Sequence, residues 1–239
     1  AGDRNSLFFH MRASMRRRKN LIKALERPSG QVTNDPTEMQ QMALEFYKQL
    51  YTSEGVQGVD EVLQHVPVKV TPAMNEILLA PYEAKEVKTV LFQMFPTNAP
   101  GPDGFPAHFF QKHWDVCDED VTKIVLRIVK GEESPEAIND TVLVLIPMVT
   151  NPNLLSQFRP ISLCNVVYKI IAKMVASHLK VLLPEVISPT QSAFVPGRLI
   201  MDNILVAYEC FHTIKNKREG REGLCAIKLD MHKAYDKIV

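Results

Sequence analysis

Thr141-Val142-Leu143-Val144-Leu145-Ile146-Pro147-Met148 and, beyond residues 149–157, Phe158-Arg159-Pro160-Ile161-Ser162-Leu163 decide the fold class. The first run is β-branched, apolar and of strand length, and it is expected to be a buried strand. The polar stretch 149–157 is a turn, so the second run returns as the other arm of a hairpin. Asn165 then caps a long helix whose stripe is Val166, Val167, Ile170, Ile171, Met174 and Val175, expected to end before Pro184. The rest of the chain is patterned mostly as helix. A hairpin set among helices makes the class α+β.

Upstream, residues 1–27 read as a basic helix and a short extended piece, with a turn at Pro28-Ser29-Gly30. Asp35-Pro36-Thr37-Glu38 opens a helix, with Asp at the N-cap, Pro at N1 and Glu at N3. Its stripe is Met39, Met42, Ala43, Phe46 and Leu50. Thr71-Pro72 starts another helix, with Met74, Ile77 and Leu78. A third runs over about 83–94, with Val87, Val90, Leu91 and Met94 on one face. These stripes are most simply core. The stretch Pro96–Pro106 holds four prolines and two glycines and cannot continue a helix. Helices resume at about 106–114 and 118–130, and Ser134-Pro135-Glu136 opens a short turn. Downstream, Ser188-Pro189-Thr190-Gln191 makes a turn and Ile200–Lys217 a helix. A buried strand over 223–230 then delivers Asp230 to its C-terminal tip.

The 239 residues suffice for one large domain or one and a half smaller ones, and 46% hydrophobic content is that of a soluble globular protein. No apolar run is long enough to span a bilayer. Four cysteines (Cys117, Cys164, Cys210, Cys225) without C-x-x-C spacing read as reduced, mostly buried thiols of an intracellular protein. No initiator Met or signal-peptide core is present, so the chain is expected to begin, as it ends, inside a longer one. Net charge is +1 overall, yet residues 1–30 carry eight basic side chains against two acidic ones, +6, leaving −5 for the remainder. That asymmetry suits phosphate binding, or else a solvated basic helix. The histidines are scattered. With no H-E-x-x-H, P-loop, Ser-His-Asp or G-x-G-x-x-G pattern, hydrolase and nucleotide-switch readings have no support.

Five segments in register resemble the reverse transcriptase of LINE-type (non-LTR) retrotransposons, particularly plant ones. They are Gly2-Asp3-Arg4-Asn5-Ser6-Leu7-Phe8-Phe9-His10; Ala99-Pro100-Gly101-Pro102-Asp103-Gly104-Phe105; Leu145-Ile146-Pro147 with Phe158–Lys169; Gln191-Ser192-Ala193-Phe194-Val195-Pro196-Gly197-Arg198; and Lys228-Leu229-Asp230-Met231 with Lys233-Ala234-Tyr235-Asp236. The resemblance implies a partial right-hand polymerase. Residues 1–95 would be a helical N-terminal extension; 96–239 would be the fingers, with the antiparallel hairpin, and the first palm strand. The rest of the palm and the thumb would be cut off.

The same resemblance implies the roles. Asp230 would be a catalytic carboxylate and Mg²⁺ ligand, although a lone Asp after a strand is more often an N-cap. Arg159 would clamp the incoming triphosphate, which a guanidinium does bidentately. Tyr235 would exclude a 2′-OH by bulk, or be a core aromatic. Arg16, Arg17, Arg18 and Lys19 would contact template RNA. Gln191, Gly197 and Arg198 would pack near template and primer, with plain turn chemistry equally open. Asp236 reads as a capping or salt-bridging residue. The implied partners are an RNA template, a DNA primer and deoxynucleoside triphosphates, and the implied compartment is the nucleus. Two positions depart from the pattern: Met148 stands where Lys is usual, and Gln157 where an acid is usual. The expected activity is Mg²⁺-dependent RNA-directed DNA polymerisation in the intact protein, absent from this stretch alone. The alternatives are a non-catalytic remnant that at most binds RNA through its basic end, and one fragment of an intact reading frame.

Overall fold

Seven antiparallel pairs, from Thr141↔Cys164 to Pro147↔Phe158, join strands β3 (Thr141–Pro147) and β4 (Phe158–Cys164) into the expected hairpin. The computed structural model describes residues 6–53, 55, 58–217 and 223–229, the side chains of Phe9 and Val62 excepted. Before the hairpin come α1 (Leu7–Asn20), the short antiparallel pair β1 (Leu25–Glu26) and β2 (Val32–Thr33), α2 (Pro36–Leu50), α3 (Val59–Leu63), α4 (Pro72–Leu78), α5 (Ala84–Phe92), α6 (Ala107–Lys112) and α7 (Trp114–Val129). After it come α8 (Val166–Val186) and α9 (Ile200–Asn216). Helices mixed with small antiparallel sheets agree with the α+β class. The chain divides into two compact units, Ala1–Glu54 with Tyr82–Met174, and Gly55–Pro81 with Val175–Val239.

In the first unit the core forms where helical stripes meet. Val87, Val90 and Leu91 of α5, Ala107 and Phe110 of α6, Trp114, Val121 and Val125 of α7, and Val166, Ile170 and Met174 of α8 bury one another. The i, i+4, i+8 spacing on α8 puts three of these side chains in one row. Phe92 meets the Trp114 ring edge-on, 6.4 Å between centroids. A smaller cluster, Leu25, Tyr47, Leu155 and Phe158 with Leu145 against it, fixes β1, α2 and the hairpin's loop end together. Asp35 caps α2 as expected, accepting from the Thr37 N–H at 2.8 Å. Glu38 at N3 does not reach back to the cap. Its carboxylate instead receives both the Arg27 guanidinium and the Thr33 hydroxyl. These bonds, Arg27 first and Thr33 second, hold the Glu38 pKa down at about 2.

Several expectations are corrected. β3 is exposed over Thr141–Leu143 and only half-buried beyond, because a two-stranded sheet with one covered face cannot bury its strands. The α4 stripe is not core: Ile77 is exposed, and no residue of that helix is buried. α7 begins at Trp114, not at 118. Cys210 and Cys225 are exposed, and all four thiols are free. Helix α8 continues through Pro184, which cannot donate to the Lys180 carbonyl, and reaches Val186. Residues 223–229 carry no strand, and Leu229 is 89% exposed; among the described residues no strand pairs with this segment. An apolar run supplies β propensity but not the neighbour that a strand's N–H and C=O groups require.

Candidate nucleic-acid interface

The last turns of α1 carry Arg16, Arg17, Arg18 and Lys19 into a chain that continues through Lys23 to β1. Mutual repulsion and long charged stems keep these side chains in solvent. In the first unit a cleft of about 910 Å³ opens between this segment and the hairpin's loop end. Arg16, Arg18, Lys19 and Lys23 line one wall, and Ile146 to Asn153 the other; among the described residues no acidic side chain lines it. Arg17 lies outside the lining. The wall of backbone is held in place by a polar network. Gln157 Oε1 accepts from the N–H groups of Asn153 (3.0 Å) and Leu154 (3.2 Å). The Asn153 carbonyl accepts from the Glu26 N–H at 2.8 Å, and the Asn153 amide donates to the Glu26 carboxylate at 2.8 Å. Met148 also lines the cleft, its N–H donating to the Gln157 carbonyl.

Arg159 pairs directly with Ile146. Residues opposite each other on a ladder share a face, and alternate residues switch faces. Leu143 and Leu145 face α2, lining a groove with Ala43, Leu44 and Tyr47. Arg159 therefore lies on the opposite face with Val144, Ile146 and Ile161. Its side chain is exposed and makes no hydrogen bond among the described residues.

The Pro100–Gly104 turn is clasped to the start of α8. Asn165 lends α8 its backbone carbonyl, accepting from the Lys169 N–H at 3.1 Å, but its side chain caps nothing. Its Oδ1 accepts from the Asp103 N–H at 3.3 Å and its Nδ2 donates to the Ile138 carbonyl at 3.4 Å. Gly101 passes so close that a Cβ there would sit 2.3 Å from Asn165 Oδ1 and 2.6 Å from the Cys164 carbonyl carbon.

In the second unit, Arg198 donates to four carbonyls: Ser188, Gln191 (2.7 Å), Pro184 (3.0 Å) and Ile187 (3.2 Å). Lys69 donates to a fifth, that of Val186, at 3.1 Å. Two cations thus satisfy carbonyls at the C-terminal end of α8, which lack an intrahelical donor. Both terminal nitrogens of Arg198 are engaged, leaving only its Nε–H for a phosphate. Gly197 has φ +77°, and a Cβ would meet nothing within 4 Å, so the glycine serves conformation, not close approach. Gln191 spans the turn weakly, its amide 3.5 Å from the Ala193 carbonyl.

Asp230, Tyr235 and Asp236 lie outside the described residues. Among the described residues no three His, Cys, Asp or Glu side chains gather to hold a metal ion. A metal ion therefore finds no donor set among them. Among the described residues, no helix is long and apolar enough to cross a membrane. Sequence reasoning missed Lys23, which stands apart from the basic run, and the 146–153 wall, which is uncharged.

Within the first unit, a basic cleft beside a two-stranded hairpin suits contact with a polyanion. Residues 149–239 match the reverse transcriptase (RNA-dependent DNA polymerase) family. Across 99% of its length the chain is 32% identical to the transposon TX1 uncharacterized 149 kDa protein of Xenopus laevis. The chain spans 18% of that relative's length. The resemblance to a retrotransposon reverse transcriptase therefore holds, and enzymes of that family are generally dependent on divalent metal.

Proposed function

We propose that this chain supplies the template- and nucleotide-handling part of an RNA-directed DNA polymerase of a LINE-type retrotransposon, working in the nucleus. Residues 1–95 form its N-terminal extension, and 96–239 its fingers and the start of its palm. The observation that carries the reading is the basic cleft, where Arg16, Arg18, Lys19 and Lys23 face the loop of the hairpin that bears Arg159. Cations on one wall and uncharged backbone on the other suit a polynucleotide backbone passing between them. Arg159, exposed and without a side-chain hydrogen bond among the described residues, suits the triphosphate of a deoxynucleotide. Gln191, Gly197 and Arg198 belong to a turn near template and primer, with Arg198 acting by holding that turn. Asp230 is the proposed ligand of Mg²⁺, which when bound would neutralise phosphate charge, and Tyr235 the proposed check on the sugar.

The test is primer extension on an RNA template. In a polymerase-length chain, Asp230→Ala abolishes extension while leaving RNA affinity unchanged; extension retained by that variant refutes the assignment. Residues 1–239 alone are expected to extend nothing, since one carboxylate cannot hold two divalent ions against a triphosphate. The cleft also supports a second reading, a non-catalytic RNA-binding remnant. A polymerase-length chain that binds RNA through the cleft yet never extends a primer would favour it.

A further inference from the structure

Phe194 is the most exposed of the large apolar side chains among the described residues, at 99%. It also sits in the left-handed region, φ +64°, where a bulky side chain is rarely found. Its neighbours Ser192 and Val195 are buried. The backbone inversion at Phe194 lets the chain tuck those two inward while the ring turns out. Nor is the loop loose. Arg198 pins it through the Ser188 and Gln191 carbonyls, Asn203 donates to the Thr190 carbonyl at 3.0 Å, and the Arg198 N–H closes on the Val195 carbonyl at 3.3 Å. A strained conformation persists only where the surroundings enforce it, and such positions gather at functional sites. Here the enforcement displays a bare aromatic face to water.

We propose that Phe194 is a stacking platform for an unpaired nucleobase of a single-stranded nucleic acid. This rests on the nucleic-acid reading above and adds to it a base contact where that reading has only backbone contacts. A π face accepts any base, so the contact is tolerant of sequence. The loop is poorly equipped to read base edges, because its Ser188, Thr190 and Gln191 carbonyls are already taken by Arg198 and Asn203. A rigid ring loses little freedom on binding, which is the advantage of stapling the loop.

The experiment measures binding of residues 1–239 to labelled oligodeoxyadenylate and to an abasic oligonucleotide of the same length, which keeps the phosphates and lacks the bases. Phe194→Ala is expected to weaken oligodeoxyadenylate binding by about tenfold and to leave abasic binding unchanged. Phe194→Gly, which suits the positive φ and keeps the loop, should show the same loss. Phe194→Trp should retain affinity, and its emission should be quenched by oligodeoxyadenylate but not by the abasic strand; the only other tryptophan, Trp114, is buried. Unchanged oligodeoxyadenylate binding by Phe194→Ala, or an equal loss on both strands, overturns the stacking role and leaves the nucleic-acid reading standing. Binding of neither strand at low salt overturns that reading, and the stacking role with it.

Discussion

Neutralising the cleft should change the salt dependence of RNA binding by an amount set by its charge count. The four lining cations are Arg16, Arg18, Lys19 and Lys23. Each phosphate neutralised on a single strand contributes a slope of about −0.7 to log K against log salt, so four give about −2.8. Between about 50 and 200 mM salt, roughly a fourfold rise, that slope predicts about a fiftyfold loss of affinity, against about 2.6-fold for a single contact. Fluorescence anisotropy of a labelled single-stranded RNA across that range reads the slope directly. Replacing all four cations by Gln should flatten it nearly to zero, and each single replacement should remove about 0.7. Arg17 belongs to the same basic run but does not line the cleft, so Arg17→Gln should leave the slope nearly unchanged. Met148→Lys, on the opposite wall, should steepen it by about 0.7. Exposed Lys112 and Lys123, on α6 and α7, serve as controls. If Arg17→Gln costs as much as Arg18→Gln, binding follows diffuse charge along α1 and the cleft is not the site.

Two further expectations concern stability. Gly101→Ala should destabilise the chain by about 1–3 kcal/mol, because the new methyl group meets Asn165 and backbone that cannot yield; an unchanged thermal midpoint would show that the turn is not clasped as described. Glu38 is stabilised by Arg27 and Thr33 as a carboxylate, with its pKa lowered from 4.5 to about 2. A depressed folded-state pKa adds stability above the unfolded value that is lost as pH falls through the folded one. The gap in melting temperature between wild type and Glu38→Gln should thus persist above 4.5 and close as pH falls toward 2; a gap that stays constant across that window contradicts the ion pair.

Local rules carried the reading where the partner lies within a few residues. Asp35 caps α2 because its acceptor and the Thr37 N–H are neighbours in the chain. The hairpin, the apolar rows of α5 and α8 and the basic end of α1 were legible for the same reason. What failed was competition from afar. Glu38 had a local partner available, but a guanidinium outbids a neutral N–H, and Arg27 is eleven residues away. Asn165 was read as a side-chain cap, yet its amide is spent on a turn 62 residues upstream. For Arg198, template contact and plain turn chemistry stood equally open, and the fold puts four carbonyls around its guanidinium. Of the site, the cations could be read from sequence but not the wall they face, since Ile146 to Asn153 carry no charge to announce it.

That wall also changes the meaning of the two departures from the family pattern. Singly, Met148 in place of Lys and Gln157 in place of an acid suggest a copy drifting without selection. Together they remove one positive and one negative charge, and the net charge of the loop end is unchanged. Gln157 keeps what the acid's oxygen would do there, since its Oε1 accepts the Asn153 and Leu154 N–H groups. The loop keeps its closure, and Asn153 keeps its two bonds to Glu26. Met148 leaves an apolar stem on a wall whose opposite side already presents four cations. The two positions are themselves joined by a backbone hydrogen bond, Met148 N–H to the Gln157 carbonyl at 2.9 Å, which neither side chain is needed to make, so the loop end closes whatever charge stands at either position.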